Sequence, residues 1–158
     1  RNFKADQEAF DRLKAELTAE LTADIVRGEK LAAQQEQDEI KKRWPQAKTT
    51  PSGLMYVVVK EGKGAKPRPG QQLTVHYRGK FLDERIFDSS YQRNTPFNFT
   101  VGARQVIPGW DEAFLDMRKG EKRTLIIPHS LAYGERGYPP VIPPRATLIF
   151  DVELLNIR

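Results

Sequence analysis

Two patterns of apolar positions divide this chain. In the first fifty residues Phe10, Leu13, Leu17, Leu21 and Ile25 recur at steps of three and four, one stripe along an α-helix. Charged residues such as Arg12, Lys14, Glu16 and Glu20 fill the other faces. Gly28 marks an expected end or kink. Leu31, Ala32, Ala33 and Ile40 continue a weaker stripe to Trp44, where Pro45 stops it. The spacing drifts away from a strict heptad, and Asp24 falls where a heptad needs an apolar side chain, so a long left-handed coiled coil is not expected. An isolated helix in water needs something to pack on. Either the arm folds back on its own domain or it pairs with another chain or helix.

From Leu54 the period changes to two. Leu54–Val59 is a nearly continuous apolar run, expected as a strand buried on both faces. Leu73, Val75, Tyr77, Gly79 and Phe81 alternate with polar neighbours, as do Phe97, Phe99 and Val101, and later Leu148, Phe150, Val152 and Leu154. Arg123–Ile127 reads as a further strand. Trp110, Phe114 and Met117 lie at helical spacing and predict one short helix over Pro108–Met117. The long loop Tyr133–Pro144 is rich in proline and glycine. The expected fold is α+β: an antiparallel sheet with one short helix packed across it, preceded by an α-helical amino-terminal segment. The expected organisation is a helical arm over 1–45, a linker over 46–53 and a folded domain over 54–158.

Composition narrows the chemistry. The 158 residues contain no cysteine, so disulfides, zinc–thiolate sites and cysteine nucleophiles are excluded. Two histidines, His76 and His129, make a multi-histidine metal site unexpected. No metal and no cofactor are expected. His76 reads as a satisfied structural side chain and His129 as an exposed turn residue. No apolar run is long enough to span a membrane. The chain opens on Arg1 with no signal-peptide pattern, which suggests a mature form or a fragment, and its compartment is left open between a bacterial envelope and the cytoplasm. The first fifty residues are charge-balanced, so the net +5 falls on the strand domain. Its basic residues are scattered singly, and no nucleic-acid partner is expected. Asp111 and Glu112 are adjacent on the predicted helix and so do not face each other, which argues against paired-carboxylate catalysis. What remains is a surplus of aromatics: Tyr77, Phe81, Phe87, Phe97, Phe99, Trp110, Tyr133, Tyr138 and Phe150. A core of this size needs only some of them, and the rest can line an apolar pocket.

Seven ordered motifs carry a resemblance. They are VHYRG (Val75–Gly79), FDSS (Phe87–Ser90), PFNF (Pro96–Phe99), VIPGW (Val106–Trp110), AYG (Ala132–Gly134), IPP (Ile142–Pro144) and LIFDVEL (Leu148–Leu154). Over residues 52–158 the chain resembles FKBP-type peptidyl-prolyl cis-trans isomerases. The helical stretch running into TTPSGLMY (Thr49–Tyr56) resembles the amino-terminal arm of the Mip-like bacterial branch. The resemblance implies a half-barrel of about five strands wrapped around the short helix, with the pocket between them. It implies Trp110 as pocket floor, Tyr77, Phe87, Phe97, Val106, Ile107 and Phe150 as walls, and Tyr133 and Asp88 as polar groups. Within this set it gives Tyr77, Phe87, Asp88, Trp110, Tyr133 and Phe150 catalytic parts. Phe97, Val106, Ile107, Tyr138 and Ile142 bind substrate, the last two from an overhanging loop. The implied activity is proline isomerisation in unfolded or flexible chains, with proline-containing clients and the family's macrolide inhibitors as partners. The alternative is a non-catalytic client-binding chaperone module using the same pocket and the arm. The arm is implied to form a homodimer or to dock a further domain. Three positions depart from the family pattern: Gln105 replaces a common glutamate, Tyr138 a common histidine and Pro140 a common glycine.

Overall fold

The computed structural model describes residues 3–158. The chain divides into two compact units, Arg1–Pro45 and Gln46–Arg158. The first is a single helix, α1 (Phe3–Arg43), that runs through Gly28 without a break. A glycine inside a helix costs only about 1 kcal/mol relative to alanine, and the good helix formers on both sides outweigh it. The apolar stripe lies open: Phe10, Leu13, Leu17, Leu21, Ile25 and Leu31 are each more than half exposed. No helix among the described residues is long and apolar enough to cross a membrane.

The second unit is an open antiparallel sheet of seven strands with one short helix, as expected in class but richer in strands. The strands are β1 (Lys48–Thr49), β2 (Met55–Lys60), β3 (Gln72–Phe81), β4 (Ile86–Ser89), β5 (Phe97–Thr100), β6 (Lys122–Ile127) and β7 (Leu148–Ile157), with α2 (Pro108–Leu115) between β5 and β6. Spatial order is β1-β2-β6-β7-β3-β4, and β5 also pairs with β3. β1 falls in the segment expected to be linker and pairs with the start of β2. The apolar run of β2 is not buried on both faces: Val58 and Val59 are exposed, because β1 is too short to cover that edge. β3 alternates as its sequence does, with Leu73, Val75, Tyr77 and Gly79 buried.

α2 starts where its sequence dictates. Ile107 is extended, and Pro108 takes the first helical position, where its missing N–H is no loss. Gly109 lets the helix lie close to β6, since a Cβ there would stand 2.7 Å from Ile127 Cγ2. Trp110, Ala113 and Phe114 of α2 join Leu73, Val75, Phe99, Leu125, Ile127 and Leu148 in one core. The far end of the helix is tied down by charge. Arg123, which is buried, pairs with buried Glu121, donates to Asp116 Oδ2 at 2.9 Å and lies 4.4 Å over the Tyr56 ring. Burial pushes Asp116 up, but Lys66 and Arg123 outweigh it and hold the carboxyl below its ordinary range.

Candidate functional site

Between the inner face of the sheet and the start of α2 lies an open hollow of about 240 Å³. It is lined by Tyr77, Phe87, Asp88, Phe97, Gln105, Val106, Ile107, Trp110, Tyr133 and Phe150. Nine of the eleven residues expected at the site therefore meet there. The other two sit apart from the lining. Ile142 is buried in the core at 4% exposure, and Tyr138 is exposed, with its ring 5.7 Å from that of Tyr133 at the rim. The Tyr138 and Ile142 backbones bond to each other in both directions at 2.8 Å and close the loop between them into a tight turn. Gln105, which replaces a common glutamate of the family pattern, also lines the hollow.

Trp110 is held by rings on every flank. Tyr77 meets it edge-on at 5.0 Å, Phe150 at 5.3 Å and Phe114 at 5.3 Å, while Phe99 tilts against it at 5.8 Å. These near-perpendicular contacts suit the aromatic quadrupole and fix the indole plane. Its Nε1 is enclosed and has no hydrogen-bond partner among the described residues. The indole therefore offers the hollow an apolar surface rather than a polar group.

Gly79 makes room for the opposite wall. A Cβ there would stand 2.7 Å from both Phe150 Cε1 and Phe87 Cζ. The wall of Val106 and Ile107 is preset by the loop before α2. Gln105 Oε1 accepts the Thr100 N–H at 2.9 Å, and Asp111 accepts the Gly102 N–H at 2.9 Å. Asp111 and Glu112 do diverge: Glu112 accepts the Thr50 and Ser52 hydroxyls at 2.9 and 2.6 Å. The Ile107 N–H has no partner among the described residues, which leaves a donor at the lip of the hollow.

One side of the hollow is polar. The Tyr77 hydroxyl donates to Asp88 Oδ2 at 2.5 Å. Arg93 pairs with the other Asp88 oxygen and donates to the Tyr77 hydroxyl at 2.8 Å. Burial pushes Asp88 up, but the Tyr77 hydroxyl and the Arg93 charge prevail and hold it below an ordinary aspartate. Burial, and then the bond to Asp88, raise Tyr77; burial and the Asp88 charge raise Tyr133. Asp88 is thus a carboxylate already engaged by two donors. Sequence reasoning missed Arg93. Its only signal was a lone arginine five residues after Asp88, on a loop whose return path no local pattern reveals. His129, expected to be exposed, is half-buried with Nδ1 enclosed and unpartnered.

An antiparallel sheet laid across a short helix, with an aromatic hollow floored by tryptophan, defines a half-barrel with an open cavity. The family model for FKBP-type peptidyl-prolyl cis-trans isomerases matches residues 63–155, and the chain belongs to that family. It is 47% identical over 106 residues to FK506-binding protein 1 of Dictyostelium discoideum, covering 67% of this chain and 99% of that protein. It is 46% identical over 111 residues to the FKBP-type isomerase FkpA of Escherichia coli strain K12, covering 70% of this chain but 40% of that one. Against FK506-binding protein 4 of Dictyostelium discoideum it is 51% identical over 108 residues, 68% of this chain and only 29% of that protein. The crystal structure of AtFKBP13 superposes with a TM-score of 0.69 at 39% identity, over 72% of this chain and 99% of that one.

Proposed function

We propose that residues 46–158 accelerate cis–trans rotation of X–Pro bonds in unfolded or flexible polypeptides. The observation that carries this reading is the open hollow floored by Trp110 and walled by Tyr77, Phe87, Phe97 and Phe150. Rotation about an X–Pro bond must break amide resonance, a barrier of about 18–20 kcal/mol, and without help takes tens to hundreds of seconds. No covalent bond is made or cut, so the reaction calls for no nucleophile. The twisted amide is less dipolar than the planar one, and water favours the planar form. An apolar cradle removes that preference and so favours the transition state. The proline ring rests on the indole of Trp110. The free Ile107 N–H and the Tyr133 hydroxyl take the flanking carbonyls, each bond contributing about 0.5–1.5 kcal/mol. Asp88, held by Arg93, keeps the Tyr77 edge in place. Tyr138 stands at the rim, where it meets residues next to the proline. The family's macrolides fit the same hollow as competitors.

A proline-peptide exchange assay tests this. Acceleration by the intact protein, suppressed by a macrolide of the family, is expected. Peptide binding without acceleration would favour the non-catalytic chaperone reading.

The arm supports a second proposal. Its open stripe from Phe10 to Leu31 is an unpaired apolar surface, suited to a second copy of the chain or a docked domain. Sedimentation of the whole chain against residues 50–158 tests it: an association confined to the whole chain is expected, and two monomers would remove the dimer.

A further inference from the structure

Strand β3 is paired along one side with β7 from Leu73 to Phe81. Its other side changes partner: Gln72–Val75 face β5, and Arg78–Lys80 face β4. His76 and Tyr77 fall in the gap between those two ladders, where the chain leaves the sheet after Ser89 and rejoins it at Phe97. A buried backbone group in such a gap must find another partner. Ser90, fully buried, supplies it. Its Oγ accepts the Tyr77 N–H at 2.7 Å, and its own N–H donates to the Tyr77 carbonyl at 3.0 Å. On the outer face, His76 Nδ1 lies 2.7 Å from the same Oγ, and the imidazole stacks on Tyr91 at 4.6 Å.

We propose that Ser90 and His76 are positioning residues for the isomerase site: they close the gap in the sheet and hold Tyr77 in register with Asp88 and Arg93. This rests on the reading of the hollow as that site. The geometry sets the logic. Ser90 grips both backbone groups of Tyr77, whose side chain carries the hydroxyl bonded to Asp88 and Arg93. It also stands two residues after Asp88 and three before Arg93 in the same excursion. All three members of the polar wall are thus referred to one buried hydroxyl. That hydroxyl has one proton to give and two lone pairs to offer. When Nδ1 is bare, the proton goes to His76. When Nδ1 carries hydrogen, the ring donates and the hydroxyl turns to the Tyr77 carbonyl at 3.2 Å. In both arrangements the Tyr77 N–H keeps its acceptor.

The test compares the parent with Ser90→Ala and with His76→Phe, which keeps a ring to stack on Tyr91 and loses the bond. Three quantities are read: kcat and KM on a proline peptide, the NMR titration of the Asp88 carboxyl, and Tm. We expect Ser90→Ala to lower kcat about fivefold, the value of one lost hydrogen bond, with KM held. Its Asp88 titration should move up toward that of an ordinary aspartate. His76→Phe should move both in the same direction by less. A lower Tm with unchanged kcat and unchanged Asp88 titration would overturn the inference in favour of a purely structural serine. If Ser90→Ala does not fold, His76→Phe, altered on the outer face, decides by the same readouts. A parent without isomerase activity would remove the functional reading, while the Asp88 titration would still decide the positioning.

Discussion

Adding one methyl group at Gly79 tests how closely the hollow is built. Gly79 lies on β3 behind the wall rings, and an alanine Cβ there would stand 2.7 Å from Phe150 Cε1 and 2.7 Å from Phe87 Cζ. Carbon atoms in contact prefer about 3.5–4.0 Å, so each contact must open by close to an ångström, through a ring or through the strand itself. The two rings are not equally free. Phe150 is 5% exposed and packs against Trp110 at 5.3 Å and Tyr77 at 6.2 Å, so it has nowhere to go. Phe87 is half-buried and touches Phe81 at 4.9 Å on its outer side. Phe87 therefore yields and swings off the wall, while the contact with the fixed Phe150 pushes β3 back at Gly79, and both movements change the shape of the hollow. Overpacking of this kind costs about 1–3 kcal/mol. Each kilocalorie lowers Tm by about 4–8 °C in a domain near this size. Urea or thermal unfolding of Gly79→Ala measures that cost, and a proline-peptide exchange assay on the folded variant measures the site. The expected result is a moderate loss of stability with a larger proportional loss of kcat/KM. A variant with parental Tm and parental kcat/KM would refute the reasoning, since it would mean that the rings do not crowd Gly79.

Four further outcomes follow from contacts described above. Phe99→Ala removes a buried ring packed on Trp110 and Phe114, and is expected to cost about 3–5 kcal/mol in chemical denaturation. Asp88→Val should lower turnover with only a small loss of Tm, because the Asp88–Arg93 pair is partly exposed. Since the folded state holds Asp88 below its unfolded value of about 3.9, its stabilising contribution is complete above that pH. It fades as pH falls through the lower folded value, and the acid limb of an unfolding curve should flatten in Asp88→Asn. Glu121→Ala leaves buried Arg123 with only Asp116 as a charged partner, and is expected to destabilise by about 3 kcal/mol in urea unfolding.

The sequence made most of the hollow legible because its residues obey strict local rules. Tyr77, Phe97 and Phe150 sit at inward positions of alternating strands, and Trp110 follows a proline that starts a helix. The motifs then fixed their mutual spacing. What stayed hidden depends on contacts across distance. β1 is two residues long, too short for any periodicity, and β4 carries an aspartate and a serine where strand propensity is low. Val58 and Val59 look like core by composition, but only neighbouring strands decide burial, and β1 stops short of them. Ile142 was placed at the substrate because it lies on the overhanging loop, yet the turn closed by Tyr138 sends its side chain into the core. Arg93 reaches Asp88 and Tyr77 by the path of a whole loop, and Gln105 faces the hollow because its amide caps the end of β5.

The pairing of β3 with β7 has a consequence for how this domain comes into being. Gln72–Phe81 sits against Leu148–Ile157, so two segments some seventy residues apart must meet before the central ladder exists. Contacts of such long range make slow-folding topologies. Phe150, on the later of the two segments, also walls the cavity. During synthesis the cavity cannot close until nearly all of this domain has left the ribosome, so its walls are the last part of the fold to be completed.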